Sequence, residues 1–360
     1  VRRAIPVGED RIPTRSDALA KVRLESRSCA TVSEVRRLVG SGVLCLALAG
    51  VCSIRQAAAQ TLQPAGWDKD IRLPEAPDRN PDPRVVEIDL DARVASVPIG
   101  SQSLEAWTYN GGIPGPLIRV RLGDRLIVHF SNHLPESTTV HWHGVRVPIA
   151  MDGVPGYSQP AVEPGQTFTY DFVLNDAGLY WYHPHVMSAM QVGFGLYGGL
   201  LVEDPNDRVG VADELVLVLS DIAIDDQGRL ESPGSGGPAG MVFGREGNHA
   251  LVNGRTAATL QAANGAPQRW RVVNASKSRH FQLDLEDLTF TRIGGDGGLQ
   301  EYPEQSNRIV LAAGERTDVI VQPRPAPGRE LVLRHIPFNR GYGSVEYRAV
   351  EDLVTVRIAD

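Results

Sequence analysis

The 360-residue sequence has only three cysteines, Cys29, Cys45 and Cys52, and none in the rest of the chain. A disulfide framework is therefore excluded after residue 52, because a bridge needs two thiols. The same absence excludes, over that long stretch, any metal site that depends on a cysteine thiolate. A metal bound there would have to use other ligands.

Clusters of positive charge are also missing. The formal net charge is -7, and no run of basic residues interrupts the acidic balance. A nucleic-acid partner is therefore not expected. No Gly-x-Ser-x-Gly motif occurs either, which argues against a serine hydrolase of the α/β type.

No apolar run reaches the roughly 20 residues of a membrane-spanning helix. The longest run, 38–54, has 17 residues; Arg36 and Arg37 precede it and three alanines, 57–59, follow it. This order of basic, apolar and small residues is typical of an export signal. We expect a protein exported to the periplasm or secreted, with an uncleaved membrane anchor as the alternative.

The remaining chain has the pattern of short β-strands. Apolar residues alternate with polar ones, as at Ile118, Val120 and Leu122, and turns rich in glycine, proline and aspartate separate the segments. This spacing predicts an all-β protein with two tandem β-sandwiches. Residues 231–248 are interpreted as a glycine-rich surface loop without a helix. The predicted segments are a leader at 1–59 with its export signal at 35–59, a first domain at 60–207 and a second at 208–360.

Two His-x-His units lie in the first predicted domain, His141-Trp142-His143 and His183-Pro184-His185. Alternate residues of a strand point to the same face, about 6.6 Å apart. Each unit thus presents two imidazoles together, and pairing of the two strands would bring all four together. By the same alternation, Trp142 would point into the protein core, as would Tyr182. Imidazole suits copper and zinc, so these spacings predict a metal site without fixing the metal.

The motifs of this stretch resemble the first domain of a multicopper oxidase, and weaker similarities extend to the family's second domain. The motifs of the first domain are Tyr109-Asn110-Gly111-Gly112-Ile113-Pro114-Gly115-Pro116, His141-Trp142-His143-Gly144, Asp152-Gly153-Val154-Pro155, and Gly178-Leu179-Tyr180-Trp181-Tyr182-His183-Pro184-His185. Those of the second include Arg269-Trp270-Arg271-Val272-Val273-Asn274 and Gly314-Glu315-Arg316-Thr317-Asp318-Val319. The resemblance implies cupredoxin-like Greek-key sandwiches and a copper cofactor.

The resemblance also implies a role for each site residue. The four histidines would form half of a trinuclear copper cluster that reduces dioxygen to water. His141 would ligate the type 2 copper, His143 and His183 one copper of the type 3 pair, and His185 the other. Asp152 would be an acid beside the cluster that orients water and supplies protons; its alternative role is that of a turn residue before a glycine.

The sequence departs from the family pattern in one large respect. The family's third domain carries His-x-x-His-x-His and His-Cys-His motifs, which supply the other cluster ligands and the type 1 copper, and the 360 residues contain neither. The expectation is a laccase-like oxidase sequence without its third domain and inactive as an isolated chain. Dioxygen, an unknown electron donor and a third domain or second chain would be its partners. The alternatives are a non-catalytic periplasmic copper-binding protein and a scaffold that has lost oxidase chemistry.

Overall fold

The structure is a computed structural model that describes residues 60–286, 288–325, 327–341 and 349–359. The expected leader, residues 1–59, and its export signal lie outside the described residues. Among the described residues, no helix is long and apolar enough to cross a membrane.

Strands account for nearly all the regular structure of the described residues, as expected for an all-β protein. Two seven-residue helices, α1 (Ser188–Phe194) and α2 (Gly237–Phe243), and a 3-10 helix at Ile149–Met151 complete it. The strands are β1 (Val85–Ile99), β2 (Gln102–Tyr109), β3 (Gly115–Arg121), β4 (Arg125–His133), β5 (His141–His143), β6 (Thr167–Val173), β7 (Gly178–His183), β8 (Gly198–Glu203), β9 (Glu214–Ile222), β10 (His249–Val252), β11 (Ala258–Ala263), β12 (Gln268–Asn274), β13 (Phe281–Leu285), β14 (Phe290–Gly295), β15 (Gly298–Ser306), β16 (Arg308–Leu311), β17 (Arg316–Val321), β18 (Glu330–Ile336) and β19 (Glu351–Ala359).

The first eight strands form two four-stranded sheets, in the orders β2-β1-β4-β6 and β3-β8-β7-β5. Sequential strands often lie in different sheets, as in a Greek key. Apolar side chains from both sheets, such as Ile88, Phe130, Ile118 and Trp142, are fully buried in one core between them. Inward side chains alternate with outward ones, which is the pattern of a sheet packed face to face.

The later strands form a six-stranded sheet, β10-β9-β12-β17-β14-β15, and a five-stranded sheet, β11-β19-β18-β13-β16. Trp270 from the first of these and Phe281 from the second are buried in their common core. A further apolar cluster joins the two sandwiches, with Leu179 and Trp181 of β7 against Val216 and Val218 of β9. Both sandwiches accordingly belong to one compact unit.

The expectation that residues 231–248 contain no helix is wrong, because α2 lies inside this segment. Proline in the first turn has a backbone angle already suited to a helix, and Pro238 occupies that position. Gly244 follows the last helical residue with a φ of 77°, a conformation that glycine adopts at little cost. A helix of one or two turns can form with these residues at its ends, even where apolar residues do not recur at the spacing of a helix.

Candidate metal site

The two His-x-His units lie side by side on antiparallel strands. β5 pairs with the end of β7, so that His141 lies opposite His183 and His143 opposite Trp181. Trp142 and Tyr182 between them are fully buried in the first sandwich, as the alternation predicted. The imidazoles consequently project from the opposite face of the sheet.

Three of the four histidines form a compact group of possible ligands. One ring nitrogen each from His141, His143 and His183 lies within 4.8 Å of the others. Nδ1 of His143 is 3.3 Å from Nε2 of His183, which is about the separation of two nitrogens each about 2.0 Å from one tetrahedral ion. His185 is outside this group, but its ring centroid is 4.6 Å from that of His141.

Hydrogen bonds to backbone carbonyls orient two of the rings. Nδ1 of His141 donates to the carbonyl oxygen of Asp152 at 2.7 Å, and Nδ1 of His183 donates to that of Pro184 at 3.0 Å. A carbonyl oxygen can only accept, so each Nδ1 carries the proton and each Nε2 keeps a lone pair. Fixing one ring nitrogen in this way is how proteins orient histidine ligands.

Asp152 lies beside His141, and its main contact with that ring comes from its backbone. Its carboxylate oxygen Oδ1 is 3.4 Å from Nδ1 of His141, farther than the carbonyl oxygen that accepts the hydrogen bond. Gly153, with a φ of 72°, follows it in a tight turn. Both interpretations of Asp152, turn residue and neighbour of the metal site, are therefore compatible with its position.

Burial favours the neutral form of three of the site imidazoles, those of His143, His183 and His185. Desolvation lowers the pKa of His183 to about 3, and desolvation together with the positive charge of Arg316 lowers the pKa of His143 to about 4. The pKa of His185 is also lowered, mainly by burial. A neutral imidazole has the lone pair that a metal ion needs, so the site is prepared for cations rather than for anions.

Trp181 supports two of the rings, a contact that the sequence reasoning did not assign. Its indole stacks on His183 with a centroid separation of 4.1 Å and contacts His143 at 4.9 Å. Strand alternation alone could have suggested this, since Trp181 and His183 share one face of β7.

The second sandwich also reaches the site. A Cβ added to Gly314 would lie 3.2 Å from Cε1 of His143, so the turn before β17 packs directly against that ring. Arg316 is buried, donates from Nε to the carbonyl oxygen of Leu179 at 3.2 Å and forms an ion pair with Asp296 at 2.7 Å. A Cβ on Gly144 would lie 2.5 Å from its guanidinium.

The other histidines stay apart from this group. His129 and His133 contact Glu87 and Asp91 on neighbouring strands, and His335 is buried in β18 of the second sandwich. These contacts are those of ordinary structural residues.

Comparison of the sequence with known proteins also indicates a metal-binding protein. Two family models, both described as multicopper oxidase, match residues 92–207 and 213–333. Multicopper oxidase MmcO of Mycobacterium tuberculosis is 30% identical over 316 residues, which are 79% of this chain and 60% of that protein. Copper resistance protein A homolog of Pseudomonas syringae is 31% identical, over 66% of this chain and 47% of its own length.

Solved structures of multicopper oxidases also align with this chain. The multi-copper oxidase of Pseudomonas thermotolerans aligns with a TM-score of 0.68 and 35% identity, covering 76% of this chain and 64% of its own. The Campylobacter jejuni multicopper oxidase, described as a metallo-oxidase, aligns with a TM-score of 0.72 and 25% identity, covering 83% and 65%. The chain thus spans less than two thirds of the length of each of these relatives.

The two sandwiches and the partly buried imidazole group define a copper protein built from cupredoxin domains, and the expected fold class is confirmed. The chain belongs to the multicopper oxidase family. Its cofactor is copper, and the grouped imidazole nitrogens fit that ion.

Proposed function

We propose that this chain supplies the first half of the trinuclear copper site of a laccase-like multicopper oxidase. The convergence of ring nitrogens from His141, His143 and His183 carries the proposal, and His185 completes the ligand set from beside His141. Neutral rings with oriented lone pairs are the state in which histidine binds a metal.

The distances support a division of the ligands among ions. His143 and His183, at 3.3 Å, are close enough to share one copper of the type 3 pair. His141 would hold the type 2 copper and His185 the other type 3 copper. When bound, the copper ions would supply the one-electron chemistry that reduces dioxygen to water with electrons from a donor.

The residues around the ligands have separate tasks. The carbonyl of Asp152 orients His141, and its partly exposed carboxylate, 3.4 Å from the same ring, is placed to hold a proton beside the site. Trp181 and Gly314 pack against the ring of His143. The protein contributes partly buried ligands whose orientation its backbone and neighbouring side chains set.

Turnover would need ligands that these 360 residues do not contain. Four histidines cannot satisfy three copper ions, and the His-Cys-His motif of a type 1 site is absent from the sequence. A third cupredoxin domain or another chain would supply both. Dioxygen and an electron donor would be the substrates of the completed enzyme.

We also propose export and a domain boundary at residues 207 and 208. Arg36 and Arg37 before the apolar run, and the alanines after it, support an export signal over 35–59 and a periplasmic or secreted protein. Strands β1–β8 pair only among themselves, and so do strands β9–β19. That segregation supports a boundary between β8 and β9. The start of the proposed first domain at residue 60 is not supported in the same way, because Trp67 and Ile71 pack in the core of the second sandwich.

Copper content of histidine variants tests the site. We expect His183→Ala to lose most of the copper that the unsubstituted chain retains after dialysis, because it removes the most buried ligand. His129→Ala is the matched control, since His129 lies outside the group and pairs with Glu87. Metal analysis by mass spectrometry gives the ratio of copper to protein. Unchanged copper in His183→Ala would place the metal elsewhere.

A further inference from the structure

A second cleft, apart from the metal site, opens beside α2. It has a volume of about 500 Å³, and α1, α2 and the segment before β13 line it. None of the four site histidines is among its lining residues. Its size is within the usual range for small-molecule sites.

Among the described residues, the charges that line the cleft are all positive. Arg245, Lys277 and Arg340 contribute side chains, and no carboxylate is among the lining residues. Three carboxylates lie nearby, and one of them, Asp221, is close enough to raise the pKa of Lys277 slightly against the other effects. Glu246 pairs with Arg340 at 2.9 Å, and Glu231 is 4.0 Å from Arg245, too far for a hydrogen bond.

Polar atoms of two lining residues are buried without a hydrogen-bond partner. They are Nε and Nη1 of Arg245 and Nδ1 of His280. Leaving a buried polar atom unpaired is costly, and the cost is greatest for a charged group. An anion in the cleft would offset part of this cost by its attraction to the Arg245 charge, whereas a neutral ligand would not.

The rest of the lining is apolar. Met241 and Val242 of α2 are 85% and 73% exposed, and Met190 of α1 and Phe243 also line the cleft. Exposed large apolar side chains next to buried cations favour a ligand with two unlike ends. A hydrated inorganic ion would use only the cationic end.

We propose that this cleft binds a small organic carboxylate, with the carboxylate at Arg245 and Lys277 and an apolar body, such as an aromatic ring, against Met190 and Met241. Burial is the main reason that the pKa of Lys277 is lowered to about 8, and the neighbouring charge of Arg245 adds to the effect. The site is independent of the copper proposal, since the two share no residue.

Methyl signals of methionine provide a direct test. The chain has only four methionines, at 151, 187, 190 and 241. In the full chain labelled with 13C at the methionine methyl groups, we expect benzoate to shift the signals of Met190 and Met241 with saturation. Met151 packs in the first sandwich and should not move. The expected dissociation constant is roughly millimolar or tighter.

Variants separate a specific site from general attraction. We expect Arg245→Gln to weaken benzoate binding about tenfold, the effect of losing one charge-assisted hydrogen bond. Arg229→Gln is the matched control, because Arg229 is exposed and pairs with Asp225. Should Arg245→Gln fail to fold, as the methyl spectrum would show, Lys277→Gln takes its place with the same expected direction.

Three results would overturn the proposal. One is the absence of a saturable shift of the Met190 and Met241 methyl signals at a benzoate concentration ten times the expected dissociation constant. Another is equal binding of benzamide, a neutral relative of similar shape. The third is equal competition by inorganic phosphate, which would mean that the apolar lining has no part in binding.

Discussion

At the scale of the residue, Gly153 shows how closely the chain packs around His141. Its φ is 72°, and an added Cβ would lie 2.9 Å from the backbone nitrogen of His141 and 2.5 Å from the carbonyl carbon of Val140. Gly156 has a similar φ of 78° but nothing within 4 Å of its added Cβ. Alanine at either glycine would strain the backbone, but only alanine at Gly153 would also clash with its neighbours. Comparing the two substitutions therefore distinguishes the two effects.

We predict that Gly153→Ala lowers the free energy of unfolding by about 3 kcal/mol or more, because the backbone of β5 must move. It should also reduce copper retention. Gly156→Ala should cost only about 1 kcal/mol, the strain of a left-handed conformation, and should keep its copper. Urea unfolding and metal analysis check both. Equal losses in the two variants would contradict the steric argument.

His335 leads to a prediction about pH. Burial and the charge of Arg279 lower its pKa to about 4, and its Nδ1 accepts a hydrogen bond from the backbone of Gln282. The unfolded chain takes up a proton near pH 6.5, whereas the folded chain does not until about pH 4. The contribution to stability is therefore complete above pH 6.5 and is lost as the pH falls from 6.5 towards 4.

The slope from this one group is at most about 1.4 kcal/mol per pH unit. We expect His335→Gln, whose side-chain oxygen can still accept a hydrogen bond, to flatten the fall in unfolding free energy between pH 6.5 and 4. His249→Gln, on the exposed end of β10, should leave it unchanged. Urea unfolding at several pH values measures both slopes. Identical slopes for wild type and His335→Gln would contradict the prediction.

At the scale of the element, β17 of the second sandwich supports β5 of the first sandwich. Arg316 at the start of β17 hydrogen-bonds to β7 and packs against Gly144 immediately after β5. It lies over the ring of Tyr180 at 5.7 Å as well. The second sandwich thus supports the ligand strands without contributing a ligand.

We predict that Arg316→Gln destabilises the protein by about 2–4 kcal/mol, because buried partners of the guanidinium lose their charge-assisted hydrogen bonds. Copper affinity should fall about tenfold or more, as is typical when support behind a ligand is lost. Arg308→Gln, an exposed arginine paired with Asp284, is the control. Competition with a copper chelator measures the affinity. Unchanged affinity in Arg316→Gln would limit its role to stability.

Some of these side-chain positions and contacts could be predicted from the sequence, and others could not. The two-residue period of a strand was enough to place Trp142 and Tyr182 in the core, with the histidines on the other face. It could not place Gly314 and Arg316 against His143, because that contact depends on how two sandwiches pack. Nor could it show that Asp152 would contact His141 mainly through its backbone carbonyl, since side-chain chemistry does not reveal such contacts.

At the scale of the whole molecule, the absence of cysteine after residue 52 determines how the copper-loaded chain should look. An intense blue colour requires a thiolate bound to copper, and no described residue is a cysteine. We expect copper-loaded protein to lack an intense visible band and to consume no dioxygen with a phenolic donor. Absorption spectroscopy and an oxygen electrode check this. An intense blue band would contradict the proposed ligand set.

The packing of Gly314 against His143 also has a consequence for the order of events during synthesis. The last of the four histidines, His185, leaves the ribosome about 130 residues before Gly314, roughly ten seconds earlier at ordinary elongation rates. During that interval the imidazoles can fold onto one sheet but lack the backbone that later closes over His143. A copper ion captured early would meet a looser and wetter site than one delivered to the finished protein. We therefore expect the native copper geometry when the metal binds after the chain is complete.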